Sequence, residues 1–166
     1  GDQTLDELTE DGLRVYGPTM VGRWGYAGAK AMDEFLAFAY HQERNLPVVV
    51  GRLFNTVGPR QTGQYGMVVP RFVQQALAGK PITLDAGCDV PLPWVYVDDV
   101  CSAIQTALTV PRGSIRETET LAYNVTGPEL LTIAQAMAMV SDIAGKPITL
   151  IPVDDEGMYQ YFDSLG

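Results

Sequence analysis

The 166-residue sequence has one histidine and two cysteines. A single imidazole with scattered carboxylates cannot assemble a zinc or similar centre, so no metal site is expected. Cys88 and Cys101 form no CxxC pair, and nothing in their spacing suggests a disulfide scaffold, which makes a reducing cytoplasm the default compartment. No stretch approaches the ~20 apolar residues needed to span a bilayer. The start, Gly1-Asp2-Gln3, is acidic and unlike a signal peptide, and the lack of an initiator Met fits a fragment or a processed start. Positive charge is also scarce: 11 Lys and Arg against 20 Asp and Glu leave a formal net charge of −9. Phosphate backbones and anionic membrane surfaces repel such a chain, which argues against nucleic-acid and membrane partners. What remains is 46% apolar residues, enough for a soluble domain with a core of its own.

The apolar pattern alternates between two periods. Residues 1–22 read as a loop or linker. Over 25–44, Tyr26, Ala29, Met32, Phe35, Leu36 and Ala39 follow a helical period, which Asn45 and Pro47 end. Val48-Val49-Val50 reads as a short buried strand. Gly51 to Gly66, rich in Gly, Pro, Asn and Thr, reads as a long loop. A second helix is expected over 68–79 with Gly79 just past its end. Short strands are expected at 82–84 and 94–97, then a helix capped by Asp98 or Asp99 and running to about Leu108. A polar loop at 110–120, a strand at 123–125, a helix from Leu131 to Ala144 and a last strand at 148–153 complete the series. Strands alternating with helices predict an α/β fold with a largely parallel sheet.

One pair of residues carries chemistry. Tyr26 and Lys30, four apart in the first helix, share a face one turn apart. A phenol ionises near pH 10, too high for a general base in neutral solution. A lysine ammonium about 5 Å away, at an effective dielectric of about 20, brings it towards roughly 8. In open water the same pair gains far too little, so the chemistry needs a closed, partly dry site. On its own the pair is a weak signal, because most such pairs decorate a solvated helix face. Other residues have equally plain readings. Asn55 beside Gly58 and Pro59 suits a turn, Arg71 a helix surface, His41 a solvated helix end, and Trp24 and Trp94 ordinary packing.

Around this pair the text runs GRWGYAGAK and then AMDEFLAFAYHQERNLPVVVGRLFNTVGPRQ, followed by YGMVVPRFVQQALAGKPIT, WVYVDDVCSAI and YNVTG. From about Glu10 to Leu150 the chain resembles extended short-chain dehydrogenases acting on nucleotide sugars, the group that holds UDP-glucose 4-epimerases, UDP-glucuronate decarboxylases and dTDP-glucose 4,6-dehydratases. The resemblance implies NAD as cofactor, Tyr26 as general base, and Lys30 as the residue that lowers its pKa and bonds the nicotinamide ribose. It places Asn55 at the sugar-nucleotide diphosphate, Arg60 and Gln61 in the adjoining loop, and Val68 to Phe72, with Val69 and Arg71, beside the nucleotide base. Asp98 and Asp99 match aspartates that begin the following helix. A UDP-sugar substrate and a homodimer are implied in the same way. Residues 1–57 would be the C-terminal part of a Rossmann-type domain, and 58–150 mainly the smaller substrate lobe, with 123–125 returning to the main sheet. Residues 151–166 would be a truncated terminal segment.

Three departures accompany the resemblance. No glycine-rich turn follows a strand: Gly22, Gly25 and Gly28 fall at the start of the Tyr-Lys helix, and the family's catalytic Ser/Thr has no counterpart here. Leu92 stands where the family has an arginine that grips the substrate diphosphate. Ala29 replaces a serine before the lysine. The expectation is therefore the active-site part of an enzyme, inactive by itself. The alternative is a catalytically inactive remnant, or a module that binds a nucleotide sugar or a protein. An uncovered sheet edge would make the isolated chain self-associate.

Overall fold

The computed structural model describes residues 8–64, 67–80, 82, 90–110 and 121–145. Along the chain these form α1 (Gly22–Arg44), β1 (Val50–Leu53), β2 (Asn55–Val57), α2 (Val68–Leu77), β3 (Leu92–Tyr96), α3 (Val97–Thr109), β4 (Ala122–Val125), β5 (Leu130–Leu131) and α4 (Ile133–Ala144). The fold is α/β. Two compact units share the chain, one built from residues up to Leu53 with Val100–Val125, the other from Phe54–Asp99 and the residues from Thr126 onward.

The first unit holds α1, β1, β4 and most of α3. β1 and β4 pair in parallel, Val50 opposite Ala122 and Leu53 opposite Val125. α1 stops where Asn45 turns left-handed (φ 53) and its N–H reaches the Tyr40 carbonyl, a conformation asparagine tolerates better than most residues. His41 is not simply solvated: its Nδ1 lies 2.7 Å from the Leu46 carbonyl, so Nδ1 donates and ties the last turn to the exit. Ala31, Val100 and Ala122 are buried, whereas Phe35 and Tyr40 on α1 are exposed.

The second unit has its own sheet, ordered β2-β3-β5, with β2 and β3 parallel and β5 antiparallel to β3. α2 and α4 pack on each other through a cluster of Phe72, Ala76, Ile82 and Met137, flanked by Val68, Ile133 and Val140. Phe72 and Ile82 are fully enclosed. α4 begins in a capping box: Thr132 Oγ1 accepts from the Gln135 N–H and Gln135 Oε1 accepts from the Thr132 N–H, which satisfies donors a helix start leaves orphaned. Gly145, at φ 61, closes the other end. Gly127 has a steric reason to be glycine, because any Cβ there would run into the Trp94 carbonyl oxygen. Trp94 itself packs as expected, half-buried, with Nε1 donating to the Leu131 carbonyl at 2.9 Å.

Three sequence expectations need correcting. The loop expected from Gly51 contains β1 through Leu53 and all of β2, because ladder pairing with β4 and β3 overrides the poor strand propensity of Gly and Asn. Leu131, expected in a helix, pairs with Leu92 in β5, and the helix waits for the Thr132 cap. Val97, expected to end a strand, opens α3, so Asp98 and Asp99 lie inside its first turn rather than before it; there their charge favours the helix through its dipole. The second helix matches its expected start, and Gly79 follows it at φ 65. The strand expected at 82–84 lies outside the described residues except for Ile82, as do the strand at 148–153, Cys88 and the segment 151–166.

Candidate active site

Tyr26 and Lys30 stand one turn apart on α1, with the lysine Nζ 5.9 Å from the centroid of the phenol ring. Both are open to solvent: Tyr26 is 71% exposed and the Lys30 side chain 61%. The lysine's ion-pair partner is Asp33, whose Oδ2 accepts from Nζ at 3.1 Å. That hydrogen bond, the Asp33 charge and the proximity of Tyr26 hold the Lys30 ammonium above its ordinary pKa. The one-turn spacing of the pair is thus present, and dry surroundings are not formed among the described residues of this unit.

One turn beyond Lys30, Glu34 is the most heavily bonded carboxylate of the unit, and sequence reasoning missed it. Arg52 grips it in parallel, Nε to Oε1 at 3.0 Å and Nη2 to Oε2 at 2.9 Å. Arg14 Nη2 reaches both oxygens, at 3.0 and 2.8 Å. Arg52 Nη1 also donates to the Glu10 carbonyl at 2.7 Å. The Glu10 carboxylate in turn accepts from the Asn124 N–H at 2.9 Å, and the Asn124 amide donates to the Leu8 carbonyl. Segment 8–14, α1 and β1 therefore meet at the Glu34 carboxylate, and β4 joins them through Glu10. Burial alone would push the Glu34 carboxyl up, but hydrogen bonds from Arg52 and Arg14 and their charge outweigh it and hold the group below its ordinary value. No spacing rule announces this cluster, because the arginines lie 20 and 18 residues from Glu34.

A cleft of about 730 Å³ opens on the other side of α1, walled by Leu13, Tyr16, Trp24, Met32 and Phe35, with Glu34 also reaching it. Tyr26 and Lys30 do not line it. Trp24 is held edge-on to Tyr16, with ring centroids 6.4 Å apart, and beneath the Arg23 guanidinium at 4.4 Å. It packs, as expected of it, within its own unit.

The remaining sequence candidates lie in the second unit. Asn55 opens β2 rather than a turn. It sits opposite Trp94, and its amide nitrogen donates to the Pro93 carbonyl at 3.0 Å. Arg60 is exposed and left-handed at φ 66, and Gln61 next to it donates back to the Thr56 carbonyl at 2.9 Å. Val69 is half-buried in the first turn of α2. Arg71 is also half-buried rather than a surface cation, its guanidinium 5.8 Å from the Phe72 ring centroid. Leu92 forms the first pair of β3 with β5. Among the described residues no group of three His, Cys, Asp or Glu side chains is placed to hold a metal, and no helix is long and apolar enough to cross a membrane.

A UDP-N-acetyl-alpha-D-glucosaminuronate decarboxylase of Bacillus cytotoxicus is 37% identical over 102 residues, covering 61% of this chain and 32% of that protein. A dTDP-glucose 4,6-dehydratase of Actinoplanes is 30% identical over 147 residues, covering 82% of this chain and 43% of that one. The crystal structure of a UDP-glucuronic acid 4-epimerase from Bacillus cereus, in complex with UDP-glucuronic acid and NAD, superposes with a TM-score of 0.77 at 27% identity, covering 92% of this chain and 45% of that one. The chain thus spans a third to a half of the length of these relatives. Residues 6–125 match the NAD dependent epimerase/dehydratase family, and the chain belongs to that family.

Proposed function

We propose that this chain carries the proton-handling and substrate-contacting part of an NAD-dependent epimerase or dehydratase acting on a nucleotide sugar, most simply a UDP-sugar. The observation that carries the reading is the Tyr26–Lys30 pair on α1, in a chain whose similar solved structure holds NAD and UDP-glucuronic acid. In this reading the first unit completes a Rossmann-type domain and the second is the substrate lobe. A homodimer and a cytoplasmic setting belong to the same reading.

The residues present fit one end of the cofactor. An exposed ammonium and phenol, one turn apart, suit the hydroxyls of the nicotinamide ribose. The pyrophosphate has no such match among the described residues: Gly22, Gly25 and Gly28 all lie within α1, no described strand precedes them, and a Cβ on any of them would meet nothing within 4 Å. Bound NAD would supply the hydride acceptor. Tyr26 then takes the proton of the sugar hydroxyl being oxidised, and the Lys30 charge stabilises the phenolate form that accepts it. Asn55, Arg60, Val69 and Arg71 orient the nucleotide. Epimerisation, decarboxylation or dehydration follows according to the sugar.

A second reading, a binding module without catalysis, is favoured by the solvent exposure of Tyr26 and Lys30 and by the hydrocarbon side chain at Leu92. Turnover separates the two. The chain is mixed with NAD, a UDP-sugar and a separately produced glycine-rich half of a relative, and reduced nicotinamide or sugar product is followed. Product formation lost in Tyr26→Phe supports the enzyme. Sugar-nucleotide binding without turnover, unchanged in Tyr26→Phe, supports the binding module.

A further inference from the structure

Lys30 has two carboxylates within helical reach, Asp33 three residues on and Glu34 four residues on. A carboxylate four residues on is a helical neighbour that can compete for a lysine, though less well than one four residues before it; here Lys30 bonds Asp33 alone of the two. Both Glu34 oxygens are taken by Arg14 and Arg52, and Arg52 is braced from its far side by the Glu10 carbonyl. The Glu34 side chain is 15% exposed, against 64% for Asp33. An exposed pair such as Lys30–Asp33 is weak and easily exchanged, whereas a carboxylate shared by two half-buried arginines is not.

We propose that Arg14 and Arg52 are positioning residues for Lys30: by holding both oxygens of Glu34 they keep that carboxylate off the lysine, so that its ammonium stays available to Tyr26. With the clamp released, Glu34 would be a second anion one turn away. Lys30 held between two carboxylates would present less positive charge to the phenol. Lys30 and Glu34 stand one turn apart on α1; the groups that act on the lysine are Asp33 and Tyr26 of the same helix, and those that act on the carboxylate are Arg14 and Arg52 from segment 8–14 and β1.

This inference rests on the reading of Lys30 as the partner of Tyr26, but its test needs neither cofactor nor sugar. Failure of nucleotide binding would therefore count against that reading alone. The Lys30 ammonium is titrated by NMR in the chain labelled on lysine, and its reactivity towards an amine-acylating reagent is measured at fixed pH. In Arg14→Met/Arg52→Met the Lys30 midpoint rises and acylation slows by about twofold, the size of an exposed helical ion pair. Adding Glu34→Gln to that variant returns both to their starting values, which a merely loosened fold would not do. A Lys30 midpoint unmoved by loss of the arginines, or not restored by removing the carboxylate, overturns the proposal. Should the double variant not fold, Glu34→Gln alone decides. Lys30 unchanged supports the clamp, and a lowered Lys30 midpoint shows that Glu34 already acts on the lysine.

Discussion

Arg52 meets Glu34 with two parallel hydrogen bonds, at 3.0 and 2.9 Å, across 18 residues of sequence. That one contact joins the last residues of β1 to the helix bearing the tyrosine and lysine. Removing the carboxylate leaves two half-buried guanidiniums facing each other, so Glu34→Ala is expected to cost about 3 kcal/mol and to lower the unfolding midpoint in urea.

The same contact sets an acid limit. The folded Glu34 carboxyl titrates below its ordinary 4.5, so the stability it contributes is fully present above pH 4.5 and is lost as pH falls through the lower, folded value. Urea midpoints measured downward from pH 6 should therefore fall less steeply in Glu34→Gln than in the unaltered chain.

Phe72 is the largest enclosed side chain among the described residues of the second unit, and it belongs to the cluster that binds α2 to α4. Phe72→Ala should cost about 3–5 kcal/mol. Gly127→Ala should cost about 2 kcal/mol, because the added methyl drives into the Trp94 carbonyl. Thermal melts of the two variants check both, and Gly79→Ala, where space is open but φ is 65, should cost less, about 1 kcal/mol.

Leu92 offers a gain-of-function test. It pairs with Leu131 at the start of β3, half-exposed. If the second unit binds a sugar-nucleotide diphosphate, Leu92→Arg should tighten it by roughly tenfold through a charge-assisted contact, read as a lower Kd for UDP-glucuronate with little change in melting temperature.

Periodic features were legible in the sequence. The 3.6-residue pattern from Tyr26 to Ala39 located α1, and Gly79 and Gly145 marked helix ends because only a residue at ease with positive φ closes them cheaply. Features made by distant pairing were not. Gly51 and Asn55 carry little strand preference, and only their partners Tyr123 and Trp94 make them strand. Likewise Tyr26 and Lys30 could be singled out because their spacing is local. Glu34 could not, because Arg14 and Arg52 approach it only once segment 8–14 and β1 lie against α1. The two-residue strand β5 was hidden because Leu131, just before the threonine cap, reads as the start of the helix.

The central claim is that this chain carries both a nucleotide-sugar site and a working tyrosine–lysine pair. Calorimetric titration of the chain with UDP-glucuronate, and separately with NAD, tests it most directly. The account predicts saturable binding of the sugar nucleotide, weakened about tenfold in Asn55→Ala, and much weaker binding of NAD, whose pyrophosphate cradle the described residues do not contain. No binding of UDP-glucuronate or of any other UDP- or dTDP-sugar would contradict it and would leave Tyr26 and Lys30 as a solvated pair on an exposed helix.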